Sequence, residues 1–518
     1  EKFMMSNRTY FSEEITLDNI VLLAMSADKA KIEECNQTFN IKYPSVEEAV
    51  ACVRNSSDNY WSKNRDMPTI VEFLQTCEPY ELANIVYNGD LYQLARLNAD
   101  VIRAFIRSFI HVPRIPTDDA EMWLEKRADE HTISYISLLC SDLLIGKQLS
   151  KVKEEQPDVY KIIGGVCKAT YERIEASRLF IETYLRPDYL PPEAWDIEIL
   201  VRKAVITSDT DSTIFTTQEW TKFVTGSYNF EDESYKTGYF MTYLSSQMTI
   251  HVLAMMSRNI GLRAPNLRGI SMKSEYYFPA YVITPSSKHY YAVISAQEGN
   301  VYPEIKLEVK GVNLRNSKIP KTVMEPFTDQ LKHVLTTIMK NAQLSLEDVI
   351  AEPLRIEQMV KDSLLSGSAE YLTTQQLKSH QSYAKGYDAA NYKYHEFWQE
   401  VFAPKYGTSP DLPYTGIKIS TTLNNRTKLM KWVDSMEDKA LAHRIAVYLR
   451  NNNKTSMGTI YVPKTLFLGK PLPKELVDVI DIRSLLSIIC APCYLYLESM
   501  GFYFKNGANS RLITDEFT

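Results

Sequence analysis

An α+β fold is what this sequence predicts, on three observations. Short β-branched and aromatic runs, Ala204 to Thr207, Thr213 to Thr216, Ala280 to Thr284, Tyr290 to Ser295 and Ile305 to Val309, gather in mid-chain and read as an antiparallel set of strands. Before them the chain is mostly helical in pattern. After about 320 helical spacing returns, with Phe327, Leu331, Val334, Leu335 and Ile338 four and three residues apart. The division expected from this is a helical N-terminal region over 1–155, an antiparallel sheet with packed helices over 156–320, and a mainly helical region over 321–518.

Each element has its own signal. Ser45-Val46-Glu47-Glu48 forms a capping box ahead of Ala49-Val50, and Thr117-Asp118-Asp119 stands where it can cap the helix carrying Met122, Trp123 and Leu124. Val86 to Ile110 alternates short apolar groups with Arg96, Arg103 and Arg107 and says least. Pro157 suits a first helical position, because the N–H donor it lacks would find no partner there. Val166, Thr170, Ile174, Ile181 and Leu185 then fall near one stripe and predict a helix over 166–185, followed by a second over 237–257. Ser345-Leu346-Glu347-Asp348 opens another amphipathic helix. Residues 366–381 are polar and expected to be exposed, 407–413 and 451–456 read as loops, 428–450 as one helix and 459–468 as a strand. A long apolar helix is expected to close the chain near Gly501.

With 518 residues the chain has room for two to four domains, and 45% hydrophobic with 24% charged residues is the balance of a globular protein. Net charge is −6. A nucleic-acid binder with that total must gather its cations on one face, and Lys306, Lys310, Arg315, Lys318 and Lys321 are so gathered; the alternative is an ordinary solvated run of charge. The 7 cysteines are scattered, with no export signal, so a reducing cytoplasm is the expected location, a host cytoplasm if the source is viral. Cys490 and Cys493 form a single Cys-x-x-Cys in an apolar stretch and are expected in the core, since a zinc ribbon needs a second pair. The same stretch contains Pro492 and falls short of the ~20 residues a membrane span requires. No membrane association is expected.

The most informative stretch is Val201 to Thr216. Two β-branched runs flank Ser208-Asp209-Thr210-Asp211-Ser212, which reads as strand, turn, strand with both acids at the tip. Side chains two apart on an extended chain point the same way. Two carboxylates held so close repel unless a cation lies between them, and hard oxygen donors suit Mg²⁺ or Mn²⁺. The bland alternative is a polar, solvated turn, for which Asp, Ser and Thr are common residues.

Asp209-Thr210-Asp211-Ser212 after such a strand resembles the carboxylate motif in the palm of family B DNA polymerases, where Thr207-Ser208 stand in place of the usual Tyr-Gly. Further resemblances follow in the family's order. Ser287-Lys288-His289-Tyr290 is similar to Lys-Lys-Arg-Tyr, whose Lys and Tyr hold the primer end. Val309-Lys310-Gly311-Val312 is similar to the Lys-Gly-Val leading into the thumb. Arg315 to Lys321 resembles the Ser-Ser-Thr-Pro-Lys region of T-even-type bacteriophage replicative polymerases, and Leu472-Pro473-Lys474-Glu475-Leu476 with Val479-Ile480-Asp481 looks like their thumb ending.

The resemblance implies a palm over 156–320, a thumb over 321–518, and template-directed nucleotidyl transfer by two Mg²⁺ (or Mn²⁺) ions. Asp209 and Asp211 would hold the metal, with Thr210 and Ser212 beside the nucleotide. Lys288, Tyr290, Lys310, Gly311, Arg315 and Lys321 would contact DNA. Primer–template DNA and dNTP are the implied partners, with a sliding clamp as a further one.

Other family motifs are missing. The first palm motif has only an echo, Thr38 to Ser45, with Thr38 where an Asp belongs; its plainer reading is the lead-in to the capping box. The fingers motif is matched only by the spacing of Lys153 and Tyr160, with Pro157 between them. No Asp-x-Glu stretch is read as a proofreading motif, and Glu1 replaces an initiating Met. The expectation is therefore a palm-and-thumb chain needing a second polypeptide for the first palm Asp, fingers and exonuclease. The alternative is a catalytically inactive polymerase-like DNA-binding or scaffold subunit.

Overall fold

The computed structural model describes residues 17–56, 67–186, 204–208, 212–284, 288–311, 319–340, 342–382, 384–385, 387, 389–502, 505–506 and 509–510. They form helices with small antiparallel sheets, an α+β fold, in two compact units. Unit 1 is 1–279 with 293–306; unit 2 is 280–292 with 307–518.

Unit 1 begins with α1 (Leu17–Met25), α2 (Lys29–Phe39), α3 (Val46–Ser56), α4 (Met67–Thr76), α5 (Pro79–Tyr87), α6 (Leu91–Leu97) and α7 (Ala99–Ile110). The expected capping box opens α3. Glu48 N–H donates to Ser45 Oγ at 3.1 Å and Ser45 N–H donates to Glu48 Oε2 at 2.8 Å, satisfying two amides that the helix leaves without partners. In the 86–110 stretch the arginines fall on the outer sides of α6 and α7, while Ile102, Ile106 and Phe109 are buried.

After a π-helical turn at Met122–Arg127 come α8 (Glu130–Leu139), α9 (Leu149–Glu155) and α10 (Pro157–Ala176). The helix expected over 166–185 thus starts earlier, at Pro157, and stops at Ser177, beyond which the chain tightens into Arg178–Phe180 and a π-helical Ile181–Leu185. Gly164 and Gly165 inside α10 let another segment lie against it. A Cβ at Gly165 would stand 1.6 Å from the Ile115 carbonyl oxygen, and one at Gly164 would stand 2.4 Å from Ala120 Cβ.

Then follow β1 (Val205–Ser208), β2 (Thr213–Phe215), α11 (Gln218–Thr225) and α12 (Asp232–Asn259). α12 is the spine of unit 1. Its Phe240 stacks on Phe109 of α7 at 4.7 Å and lies against Tyr135 of α8, while Tyr243 stacks on the same Tyr135 at 4.7 Å. Each such ring removed from water contributes about 1.5–3 kcal/mol.

Four strands follow: β3 (Tyr276–Tyr277), β4 (Ala280–Ile283), β5 (Tyr290–Gln297) and β6 (Asn300–Lys310). Within unit 1, β3 pairs antiparallel with the end of β5, Tyr276 opposite Gln297. Glu298 and Gly299 join β5 to β6 with φ of 48° and 83°, both positive, as a type I′ hairpin turn requires.

Unit 2 contains α13 (Lys321–Met339), α14 (Leu346–Leu365), β7 (Thr374–Leu377), α15 (Ala390–Phe397), β8 (Tyr414–Ser420), α16 (Arg426–Ser435), α17 (Lys439–Asn451), β9 (Thr459–Pro463), α18 (Ile482–Ile489) and α19 (Ala491–Ser499). Its sheet runs β7-β8-β9, antiparallel throughout. Ser345 and Asp348 close the expected capping box of α14.

Four expectations need correction here. Residues 428–450 form two helices, because Met436 is extended and the Asp438 carboxylate accepts from Leu441 N–H to start α17. The 459–468 strand ends at Pro463, which cannot donate to a ladder, and continues as a 3₁₀ turn. The closing apolar helix breaks at Cys490, with Pro492 in the first turn of α19. The polar stretch 366–381 contains β7, with Tyr371, Leu372 and Leu377 buried. Cys490 and Cys493 are free and buried, as expected of core cysteines.

Candidate functional site

The acidic hairpin is built from its arms. Val205 pairs with Phe215, Thr207 with Ile214 and Ser208 with Thr213, the register slipping by one residue between Val205 and Thr207. Such a bulge bends and twists a strand just before its end. At the last pair, the Ser208 and Thr213 hydroxyls stand 3.1 Å apart, and Ser208 Oγ also donates to the Ser212 carbonyl at 3.4 Å. Where the Tyr-Gly of the related motif would be, this chain therefore places a hydroxyl that fastens the two arms. Asp209, Thr210 and Asp211 lie outside the described residues; Ser212 is exposed. Among the described residues, no group of three or more His, Cys, Asp or Glu side chains could hold a metal ion.

In unit 2 two of the sequence motifs meet. The His289 carbonyl accepts from Thr284 N–H at 3.0 Å, closing the connection between β4 and β5. Lys288 stands just before, exposed, at φ 61°. A left-handed conformation costs a residue with a Cβ roughly 1–2 kcal/mol, so the turn holds this lysine at the expense of backbone comfort. Tyr290 points inward, with its ring 5.0 Å from that of Tyr281.

At the end of β6, Lys310 is exposed and Gly311 turns the chain at φ 69°. The His289 ring lies directly against Gly311: a Cβ there would stand 2.0 Å from His289 Cδ2 and 2.8 Å from Nε2. Only glycine meets both demands, the positive φ and the absent side chain. Lys288 and Lys310 thus flank a single tight contact between residues 289 and 311. Sequence reasoning named both motifs but missed this contact, whose one visible sign was a glycine directly after a strand. Lys321 is the first residue of α13 and is exposed. Arg315 and Lys318 lie outside the described residues.

Lys153 and Tyr160 share a partner. Lys153 Nζ reaches Glu125 at 2.7 Å and Glu121 at 3.5 Å, and Tyr160 Oη donates to Glu125 at 2.7 Å. These bonds hold the Glu125 carboxyl below the usual carboxylate range. Lys153 belongs to α9 and Tyr160 to α10, with Gln156 and Pro157 between, so the two do not share the single helix that a fingers motif needs. The lysine's charge is matched within its own surroundings.

β1 and β2 bracket Asp209 to Asp211 in sequence, and the Lys-His-Tyr turn is braced by Gly311 at the end of β6. A family model described as "Divergent Family B DNA polymerase" matches residues 1–517, and the chain belongs to that family. The match takes in residues 1–155, where the sequence alone offered little beyond the echo at Thr38 to Ser45. No curated protein matches the chain. Among the described residues, no helix is long and apolar enough to cross a membrane.

Proposed function

We propose that the chain is the palm-and-thumb part of a DNA-directed DNA polymerase of T-even phage type, carrying out template-directed nucleotidyl transfer with two metal ions. The palm is read over 156–320 and the thumb over 321–518. The observation that carries the reading is the contact of His289 with Gly311, since it draws together the two basic motifs that a growing primer end requires and leaves Lys288 and Lys310 in solvent on either side.

Asp209 and Asp211 would hold Mg²⁺ (or Mn²⁺). Two carboxylates flanked by Thr210 and Ser212 form a hard-oxygen donor set that fits such an ion. When bound, the metal neutralises charge at the reacting phosphate. Lys288 and Tyr290 would align the primer, and fixing the reacting atoms in place accounts for much of such catalysis. Lys310, Gly311, Arg315 and Lys321 would follow the DNA backbone, a contact independent of sequence and sensitive to salt.

The lack of a recognised first palm Asp in the sequence, and Lys153 matched by Glu121 and Glu125, support a second polypeptide that supplies the first palm Asp, fingers and exonuclease. The same pairing of Lys153 also favours a second reading, an inactive relative that binds DNA. Two measurements on the purified chain separate them. Mn²⁺ binding followed by electron paramagnetic resonance is expected in the native chain and lost in Asp211→Asn. Primer extension by the chain alone is expected to be absent. Extension without a partner removes the second polypeptide, and Mn²⁺ binding that Asp211→Asn leaves intact removes the metal hairpin.

A further inference from the structure

No Asp or Glu stands between Glu233 and Glu275, in a chain with 64 acidic residues. Within that interval Arg258, Arg263, Arg268 and Lys273 recur every fifth residue. α12 ends here: Gly261, at φ 91°, reverses the chain, and Leu262 N–H reaches back to the Ser257 carbonyl at 3.0 Å. From there to Lys273 the chain runs over the surface of unit 1 with almost every residue exposed.

Two features set this surface apart. Arg258, Arg263 and Arg268 have no ion-pair partner among the described residues, as is also true of Arg96, Arg173, Arg426 and Arg450 elsewhere, but here three such arginines stand on one exposed stretch without an acid of its own. Lys273 is paired with Glu130 and is left out of the count. Between the arginines stand large apolar side chains in water, Ile260 at 78% exposure and Ile270 at 57%, with Met256, Leu262 and Met272 beside them. Single exposed apolar residues mean little, but five within seventeen residues, among unpaired cations, mark a contact surface.

We infer that the segment 256–273 is a second nucleic-acid contact surface, on which Arg258, Arg263 and Arg268 grip the phosphate backbone of a strand and the aliphatic side chains lie against its sugars and bases. This rests on the polymerase reading. The occupant follows from charge: three unmatched guanidinium groups on a stretch whose own residues include no acid complement a polyanion, and guanidinium groups suit phosphate oxygens in pairs.

The test is fluorescence anisotropy of the full chain against a blunt duplex and an unstructured single strand of equal length, across a range of salt. Replacing Arg258, Arg263 and Arg268 together by Ala touches only exposed side chains, and an unchanged melting temperature verifies the fold. Removing three phosphate contacts is expected to reduce the slope of log K against log salt by about 2 on a single strand or about 2.7 on duplex, with a loss of roughly 10- to 100-fold in affinity. The triple Arg→Lys variant is expected to keep most of the slope. Loss confined to the single strand assigns the surface to template, and loss confined to duplex assigns it to product.

An unchanged slope in the triple Ala variant, while Lys288→Ala with Lys310→Ala lowers it, overturns this inference and leaves the polymerase reading standing. A native chain that binds neither DNA overturns both. Binding to phosphatidylserine vesicles that the triple Ala variant loses, with DNA affinity intact, reassigns the surface to a membrane.

Discussion

At Gly311 two constraints fall on one atom that is absent. The backbone there is left-handed at φ 69°, and the His289 ring fills the space a side chain would need. Gly311→Ala is therefore expected to cost about 1–2 kcal/mol for the backbone and about 1–3 kcal/mol for the forced overlap. Urea denaturation measures the sum. His289→Ala combined with Gly311→Ala should recover the overlap and keep the backbone cost, because only the ring is removed. If Gly311→Ala is as stable as the native chain, the histidine does not pack there. Since Lys288 and Lys310 flank the contact, the single variant should also bind primer–template more weakly than the double.

Among the elements, the stretch Leu472 to Leu476 owes its shape to one carboxylate. Glu475, in the single turn Lys474–Val477, accepts from Lys405 Nζ at 2.8 Å and Tyr406 Oη at 2.7 Å, and Lys405 also reaches Asp438, the N-cap of α17, at 3.0 Å. Burial works to raise the Glu475 pKa, but the bonds from Lys405 and Tyr406 prevail and hold it below 4.5. Asp438 is held below 3.8, first by the Leu441 amide and then by Lys405. Both carboxylates bind fewer protons folded than unfolded, so their stabilisation is complete above these ordinary values, declines below them and is lost as pH falls through the lower values of the folded state. Glu475→Gln is expected to cost about 1–2 kcal/mol at neutral pH and to flatten the acid limb of a melting-temperature profile. An unaltered acid limb would mean that the cluster is solvated.

What the sequence disclosed is what local chemistry decides. Capping boxes at Ser45 and Ser345, the first-turn Pro157 and the strands around 205–215 and 280–310 needed only neighbouring residues to be read. Where tertiary contacts decide, reading fell short. Leu377 is buried because β7 pairs with β8, Leu377 opposite Tyr414 thirty-seven residues on, and nothing near 374–377 announces that partner. In the candidate site, Lys288 and Lys310 were legible as motifs. The ring that joins their neighbours was not, because a histidine's packing partner lies beyond its sequence neighbourhood.

Across the described residues, most of the burial falls into two large cores, one in each unit, with a small cluster of Leu377, Tyr414 and Tyr461 besides. One runs from Ile20 to Ala296 in unit 1; the other takes Tyr291 and then Ile319 to Leu497 in unit 2. The cysteines sample both: Cys35, Cys52, Cys77, Cys140 and Cys167 in unit 1, Cys490 and Cys493 in unit 2. Burial pushes the Cys35 and Cys77 thiols up to about 11 and those of Cys140 and Cys167 to about 12, and raises Cys490 and Cys493 as well. A thiol reacts through its thiolate, so each is expected to stay silent near pH 8 until its surroundings open. Pulsed labelling in rising urea, read by mass spectrometry, then reports each core separately. Half-buried Cys77 should label first; Cys35, Cys52, Cys140 and Cys167 should follow together, and Cys490 with Cys493 should form a group of their own. Glu475→Gln lies in unit 2, so it should lower the urea midpoint for Cys490 and Cys493 and leave the unit 1 group in place. If all the thiols share one midpoint and Glu475→Gln shifts them equally, the two cores melt as a single cooperative body.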